Sequence, residues 1–282
     1  MTFGVAGVHV AIDGVDVLRG VDVLVPAGYV VAVVGGDGAG KSTLLRCLVG
    51  RVAPERGTVT RPDRAAIGYM PSTSGTWRQL TVDENIEFVG SAFGMSGPSL
   101  TRRREELLER ADLADVTDRL AGDLSGGMRQ KLGFLLAVLH SPELLVLDEP
   151  STGVDPVSRV ELWRLIAEAA VRGAAVAIAT AYLDEAERAT TVHVLDDGRV
   201  IATGDRDELT SSFPGSISTV STATVTERSW RRGRSIREWI PDGAVGSDGP
   251  DRRRIDRPDF EDVVMARLLA DRMTRHSGPE SP

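Results

Sequence analysis

The sequence predicts an α/β fold, and three of its segments carry the prediction. VVAVVG at 30–35 has the continuous apolar character of a buried strand, and KSTLLRCLVG at 41–50 has the spacing of a helix. Further along, a helical pattern at 123–140 precedes the apolar strand ELLVLD at 143–148. Strands and helices therefore follow one another along the chain, as they do in α/β domains.

Composition indicates a soluble chain with a sizeable core. Its 282 residues, 41% of them hydrophobic, suit one large or two unequal domains. The apolar runs fall short of the roughly 18 residues that a membrane span needs, and the start MTFGVAGVHV lacks a signal-peptide pattern. We therefore expect a cytoplasmic location. Cys47 is the single cysteine, which excludes an internal disulfide and a cysteine-based metal cluster.

Charge disfavours nucleic acid as a partner. The formal net charge is -8, although RRR at 102–104, RRGR at 231–234 and RRR at 252–254 are local basic runs. Such runs are more typical of a solvated surface, so no nucleic-acid partner is expected.

The first thirty residues favour short antiparallel strands ahead of the buried strand. VHVAI, VDVL and VDVLV alternate in polarity and are separated by Asp-Gly and Arg-Gly steps, which are typical of turns. An antiparallel β subdomain is therefore predicted at the N-terminus.

A glycine-rich loop joins the buried strand to its helix and matches the phosphate-loop pattern G-x-x-x-x-G-K-[ST] without a mismatch. Glycines let successive backbone N–H groups curl around phosphates, and the helix start adds partial positive charge. Lys41 would reach the outer phosphates and the Ser42 hydroxyl would bind magnesium. The predicted cofactor-binding residues here are Gly35, Gly36, Asp37, Gly38, Ala39, Gly40, Lys41, Ser42 and Thr43.

A second set of small residues begins the helix predicted within DLSGGMRQKLGFLLAVLH. Ser125, Gly126 and Gly127 would leave free N–H groups able to receive an anion, although an ordinary N-cap is the alternative. Pro142 would end the helix. The apolar side of this helix is predicted to comprise Met128, Leu132, Leu135, Leu136 and Leu139.

An acidic pair ends the next strand. Asp148 suits a magnesium ligand held beside the phosphate loop. Glu149, one residue later, suits the polarisation of an attacking water and is the candidate catalytic residue.

Together these motifs resemble the ATP-binding subunit of an ABC transporter, over residues 1 to about 210. The resemblance rests on the phosphate loop at 35–43, the signature LSGGMRQ at 124–130, the strand and acidic pair at 144–149, and TGVDP at 152–156. It implies a P-loop NTPase fold of ABC type with a helical subdomain at about 75–140, and the cofactors ATP and Mg²⁺.

The resemblance also implies partners. Two such domains would face each other head to tail, each ATP lying between one chain's phosphate loop and the other chain's signature, and Asp155 would communicate across that dimer. The helical subdomain, with the amphipathic segment TRRREELLERADL, would touch an integral membrane permease. The chain would then lie peripherally at the cytoplasmic side of the cell membrane, and its pattern resembles exporters more than importers.

Three positions depart from the family pattern. Ile12 stands where an aromatic ring commonly stacks on adenine, and Ser72 stands where the family usually has glutamine. Ala181, in TAYLDEAE, stands where the family usually has a histidine that donates to the terminal phosphate. Loss of one such donor typically slows a reaction about 10²- to 10³-fold, so slow hydrolysis is predicted at this chain's own site. The alternative is that Thr180 or Tyr182 supplies the donor.

A complete signature beside a weakened pocket suggests a heterodimer. We expect a different ATP-binding chain as partner, as in exporters that carry two unequal ATP-binding halves. Two other functions stay open: a soluble ABC ATPase that acts on ribosomes or nucleic acid, and an ATP-binding regulator that does not hydrolyse ATP.

Residues 211–282 are predicted to form an accessory segment. ISTVSTATV and SIREWIP suit strands, GAVGSDGPDRRR suits a loop, and RPDFEDVVMARLLADRM suits a helix. The last residues, RHSGPESP, are expected to be disordered.

Overall fold

The structure is a computed structural model that describes residues 1–213, 215–223, 225–242 and 252–276. Its strands are β1 (Thr2–Ile12), β2 (Val15–Pro26), β3 (Val30–Val34), β4 (Arg56–Thr60), β5 (Ile67–Met70), β6 (Leu144–Asp148), β7 (Ala175–Thr180), β8 (Thr191–Asp196), β9 (Arg199–Gly204), β10 (Ser216–Val220), β11 (Ser229–Arg232), β12 (Ser235–Ile240) and β13 (Arg253–Arg254). Its α-helices are α1 (Lys41–Leu48), α2 (Val82–Ala92), α3 (Gly97–Ala111), α4 (Gly126–Val138), α5 (Pro156–Val171), α6 (Leu183–Ala186), α7 (Arg206–Ser211) and α8 (Phe260–His276).

The central sheet has the order β5-β6-β7-β3-β8-β9, and all its strands are parallel except β9. Val34 pairs with Thr180, and Asp148 pairs with Ala179, so β3, β6 and β7 end at the same edge. Because loops follow the carboxyl ends of parallel strands, this edge gathers the segments that follow Val34, Asp148 and Thr180. The α/β fold predicted from the sequence is confirmed.

Both faces of the central sheet are covered. One core cluster packs alternate residues of the sheet, such as Ala32 and Leu145, against helices α2 to α5. The other packs Val31 and Val33 against α1 and the N-terminal strands. Burial on both faces explains why β3 reads as a continuous apolar run instead of an alternating one.

The N-terminal sheet has the order β2-β1-β4 and is antiparallel, as predicted. Its strands are longer than expected, because the Arg-Gly step at Gly20 is not a turn. Val8 pairs with Val21 and His9 pairs with Arg19, so Gly20 is an extra residue within β2. Gly20 has a φ of 76°, which suits a β-bulge with a glycine. The prediction of separate VDVL and VDVLV strands was therefore wrong.

Helices α2 and α3 precede the helix that begins at the signature. A capping box starts α2, since Thr81 Oγ1 accepts from Glu84 N and a Glu84 carboxylate oxygen accepts from Thr81 N. Helix α4 begins at Gly126 and ends at Val138, before Pro142, as its sequence predicts. Within the ranges that the structure describes, no helix has both the length and the apolar character of a membrane span.

The C-terminal segment contains an antiparallel sheet with the order β11-β12-β10-β13, packed on α8 through Ile217, Trp239 and Ala266. Phe260 and Val264 of α8 join the large core of the central domain. Three predictions from the sequence were wrong: β10 ends at Val220, within ISTVSTATV; Arg253–Arg254, predicted as loop, forms β13; and α8 extends to His276, predicted to be disordered. The rest of that loop (243–251) and of that end (277–282) lies outside the described residues.

Candidate functional site

The phosphate loop, residues 35–43, connects β3 to α1. Gly38 and Gly40 have φ values of 79° and 106°, which L side chains rarely adopt. A Cβ atom at Gly40 would also lie 2.9 Å from Leu18 Cδ2 and from Val17 O. The Lys41 amine donates to the carbonyl oxygens of Gly35 (2.9 Å) and Gly36 (3.3 Å) and so closes the loop on itself.

A cavity of about 590 Å³ opens at this loop. It is lined by Val17, Asp37, Gly38, Ala39, Gly40, Lys41, Ser42, Thr43, Ser72, Glu149, Thr152, Ala181 and Tyr182. Most of the predicted phosphate-loop residues thus line one cavity together with Glu149. Ser72 and Ala181, two of the three positions that depart from the family pattern, line the same cavity.

Ser42 and Asp148 form a pair at the base of the loop. The Ser42 hydroxyl donates to Asp148 Oδ1 at 2.9 Å. Asp148 is fully buried, and its Oδ2 has no hydrogen-bond partner among the described residues. Burial raises the pKa of this carboxyl above its usual value, against the Ser42 hydrogen bond. A buried carboxylate oxygen without a partner, beside a hydroxyl, suits a Mg²⁺ ligand set.

Glu149 lies at a bend with a φ of 51°, in the left-handed region that non-glycine residues rarely occupy. Its Oε1 is 3.4 Å from the Lys41 amine. Its Oε2 accepts from the Thr152 hydroxyl (3.2 Å) and from the backbone N–H of Ala181 (3.3 Å). An unusual backbone conformation thus aims this carboxylate at the cavity, as strained residues at functional sites often do.

Thr180, at the end of β7, and Tyr182, just after it, are the two side chains that could replace the missing histidine as a hydrogen-bond donor. Thr180 is fully buried; its hydroxyl donates to Glu185 Oε2 at 2.9 Å and accepts from Tyr182 N at 3.0 Å. Tyr182 lines the cavity, and the Arg159 guanidinium lies 4.4 Å from the centre of its ring. Thr180 is therefore engaged away from the cavity, whereas the Tyr182 side chain borders it.

Glu185 is a residue that sequence reasoning missed. It is buried, and it contacts the hydroxyls of Ser151 and Thr180. Burial raises the pKa of its carboxyl. Through these two contacts Glu185 connects Ser151, in the turn after β6, to Thr180, at the end of β7. The sequence signal was DEAE at 184–187, which served only to fix the register of Ala181.

The signature lies apart from this cavity in the described part of the chain. Ser125 is the N-cap of α4, and its Oγ accepts from Met128 N at 3.2 Å. A Cβ atom at Gly127 would lie 2.6 Å from Ser158 Oγ, so only glycine fits against α5. Asp155 caps α5 by accepting from the N–H groups of Val157 and Ser158, which lowers the pKa of its carboxyl.

Ile12 does not line the described cavity, and its side chain is 42% exposed. Val17, on the neighbouring strand β2, lines the cavity instead. Sequence reasoning missed Val17, because its position on the cavity wall depends on how the β1–β2 sheet packs on the phosphate loop.

A second cavity, of about 940 Å³, lies between β5 and helices α2 and α4. Its lining includes Tyr69, Trp77, Phe93 and His140. The Phe93 ring stacks on His140 with centroids 3.7 Å apart, and Trp77 contacts Phe88 edge-on at 4.6 Å. Trp77 and Phe88 are both exposed, so this part of the molecule presents aromatic surface beside a cleft.

Comparisons with known proteins agree with these features. A family model described as ABC transporter matches residues 18–152. The probable multidrug ABC transporter ATP-binding protein YbhF of Escherichia coli (strain K12) is 40% identical over 204 residues, which cover 69% of this chain and 35% of YbhF. The daunorubicin/doxorubicin resistance ATP-binding protein DrrA of Streptomyces peucetius is 37% identical, covering 73% of this chain and 66% of DrrA. The Nod factor export ATP-binding protein I of Rhizobium sp. (strain N33) is 34% identical, covering 74% of this chain and 73% of the relative.

Solved structures give the same fold. An ATP-binding subunit of an ABC transporter superposes with a TM-score of 0.69 and 29% identity, covering 75% of this chain and 92% of the other. A nucleotide-free ATP-binding cassette from an ABC transporter superposes with a TM-score of 0.65 and 24% identity, covering 73% of this chain and 92% of the other. The chain spans only about a third of YbhF and just under two thirds of DrrA.

Proposed function

Since this chain belongs to the family of ABC transporter ATP-binding proteins, we propose that it binds Mg-ATP in the cavity at its phosphate loop and powers export through a separate membrane permease. The proposal extends to ATP hydrolysis coupled to transport, with a slow site in this chain. The observation that carries it is the Ser42–Asp148 pair, whose second carboxylate oxygen is buried without a hydrogen-bond partner among the described residues.

The phosphate loop, the Ser42–Asp148 pair and Glu149 have separate roles in this proposal. The N–H groups of residues 36–42 and the Lys41 amine bind and orient the phosphates. Ser42 and Asp148 would hold Mg²⁺, which when bound neutralises charge on the outer phosphates. Glu149 polarises the attacking water, and its hydrogen bonds from Thr152 and Ala181 N fix the direction of its carboxylate.

The same cavity supports the slow-site proposal. Ala181 offers only its backbone N–H, and that N–H is already directed to Glu149. Ser72 lines the cavity, but its side chain is shorter than the glutamine that is usual in the family. Each missing donor at a developing anion typically slows a reaction about 10²- to 10³-fold. ATP would therefore bind at this site and turn over slowly.

The signature then serves a second chain. Ser125 lies at the N-terminus of α4, where N–H groups and the helix dipole favour an anion, and it does not line the described cavity. We propose a head-to-tail pair in which Ser125 and Gly127 complete the ATP site of a different ATP-binding subunit. That subunit would carry the glutamine and the histidine at the positions where this chain has Ser72 and Ala181.

The aromatic cleft supports a permease partner. A cleft of about 940 Å³ is bordered by Trp77 and Phe93, and the exposed Phe88 ring contacts Trp77, so this face offers the exposed aromatic surface that protein interfaces often use. The name of the Nod factor relative favours export as the direction, and a peripheral location at the cytoplasmic side of the cell membrane follows from this role.

Co-purification tests the proposal directly. The tagged chain is extracted gently from its native membranes, and the chains that copurify are identified by mass spectrometry with their stoichiometry. We expect one permease and one different ATP-binding chain for each copy of this chain. A permease with two copies of this chain would contradict the unequal pair, and the absence of any membrane protein would contradict the transport role.

A further inference from the structure

The end of helix α8 lies beside the phosphate loop, although the two are far apart in the sequence. Arg272 Nη2 is 3.1 Å from Asp196 Oδ1, and Arg275 Nη2 contacts the other oxygen of the same carboxylate. Asp196 is only 5% exposed, so two guanidinium groups neutralise one buried acid. The acid is the last residue of β8.

The turn that follows Asp196 packs directly on the phosphate loop. The Gly198 N–H donates to Ala39 O at 3.0 Å. The approach is close enough that a Cβ atom at Gly35 would lie 2.1 Å from Leu195 O. Asp197 adds ion pairs with Arg19 at 2.6 Å and with Arg275 at 2.9 Å. A continuous set of contacts therefore connects α8, this turn and the phosphate loop.

The arginines also face the loop across open space. A cavity of about 480 Å³ separates Arg272 and Arg275 from residues 37–39. Asp37 is exposed in the loop, where its carboxylate would repel phosphate, and two nearby positive charges offset that repulsion. The nucleotide cavity borders the same three residues.

We propose that Arg272 and Arg275 are positioning residues for the phosphate loop, and that through Asp196 the C-terminal helix sets the affinity of the chain for nucleotide. This inference rests on the proposed function. Loss of both arginines leaves the buried carboxylate of Asp196 without a counter-charge, so the turn relaxes away from Gly35 and Ala39. The loop N–H groups then converge less well on the phosphates.

Arg267 provides a matched control on the same helix. Its Nη2 donates to Leu209 O and to Ser212 Oγ, each at 3.0 Å, and so anchors α8 to α7. It is not among the residues that line the cavity between the arginines and residues 37–39. Arg267→Gln therefore weakens the attachment of α8 without changing the charges around Asp196.

The test is calorimetric titration of Mg-ATP into the full-length chain, with thermal unfolding measured on every variant. We expect the double variant Arg272→Gln/Arg275→Gln to bind about 5- to 20-fold more weakly than wild type, in the range of typical couplings between sites. Arg267→Gln is expected to bind like wild type. Adding Asp196→Asn to the double variant is expected to restore part of the affinity, because a neutral amide needs no counter-charge.

Two results would overturn the inference: unchanged affinity in the double variant, or an equal loss in Arg267→Gln. If the double variant does not fold, Asp196→Asn alone takes its place and should weaken binding, since it removes the group through which both arginines act; unchanged affinity there would also overturn it. Failure of the proposed function looks different, because the Lys41→Ala variant would then bind Mg-ATP as tightly as the wild-type chain.

Discussion

The backbone N–H of Ala181 donates a 3.3 Å hydrogen bond to Glu149 Oε2. The residue after β7 thus contacts the candidate base through the main chain, while its side chain is a methyl group that cannot donate. A donor at this position would have to come from a different side chain. Because Ala181 lines the cavity and is exposed, a larger side chain can extend toward the phosphate end.

We expect Ala181→His to raise the ATPase rate of this chain's own site by about 10- to 100-fold, because removal of one oriented donor typically costs at least that much. The measurement is phosphate release by the assembled complex in which the partner's ATP site has been inactivated. Ala181→Leu is the control of similar size without a donor. Equal rates in the histidine and leucine variants would show that a donor at this position does not limit hydrolysis.

Asp148→Asn tests the metal role of the Ser42–Asp148 pair. The asparagine keeps an acceptor for the Ser42 hydroxyl but removes the charge, so the enhancement of ATP binding by Mg²⁺ should fall at least about tenfold. Burial raises the pKa of this carboxyl and thus disfavours its charged form, so the variant should unfold at the same temperature or higher. Titration of ATP with Mg²⁺ and with EDTA measures the effect. If Mg²⁺ enhanced ATP binding equally in the variant and in the wild-type chain, the role of Asp148 as a Mg²⁺ ligand would be contradicted.

Motifs contiguous in the sequence were the part that could be predicted. Lys41 and Ser42 follow β3, Asp148 is the last residue of β6, and the parallel pairing of β3, β6 and β7 brings these strand ends together. The roles of Val17, Glu185 and Arg272 could not be predicted, because each depends on contacts between segments distant along the chain. The turn predicted at Gly20 was wrong for the same reason. Arg-Gly is typical of a turn, and only the pairing of β1 with β2 makes Gly20 part of a β-bulge.

The proposed use of the signature by a partner chain is tested at Ser125. Gly127 is unsuitable, because any side chain there would collide with Ser158 of its own chain. Ser125→Asp and Ser125→Asn both keep a good N-cap for α4 and differ in one negative charge. We expect Ser125→Asp to lower the ATPase rate of the complex at least about tenfold, because like charges repel across an interface. Ser125→Asn should retain most of the rate.

Glu149→Gln in this chain provides the comparison for Ser125. If the partner's site carries most of the turnover, this variant should leave the rate of the complex near that of wild type. Similar losses in Glu149→Gln and Ser125→Asp would contradict the division of labour between the two sites.

Burial of His193 should make the free energy of unfolding depend on pH. It is buried in β8, its Nδ1 lies 2.9 Å from Thr203 Oγ1, and burial lowers the pKa of its imidazole from 6.5 to about 4. Between those values the unfolded chain binds a proton that the folded chain does not, so the unfolding free energy falls as pH falls through this window. The contribution of His193 to the free energy of unfolding is fully present above pH 6.5. The difference between the two pKa values corresponds to a loss of about 3 kcal/mol once the pH has fallen below both.

The measurement is the urea midpoint between pH 7.5 and 4, for the wild-type chain and for His193→Asn, whose amide can replace the hydrogen bond to Thr203 but does not titrate. We expect the variant to lose much of the decline in stability between pH 6.5 and 4. His140, whose pKa burial also lowers, contributes a separate decline that remains in the variant. If both chains lost stability equally with acid, His193 would be protonated in the fold, and strand β8 would have to be more open to solvent than its burial indicates.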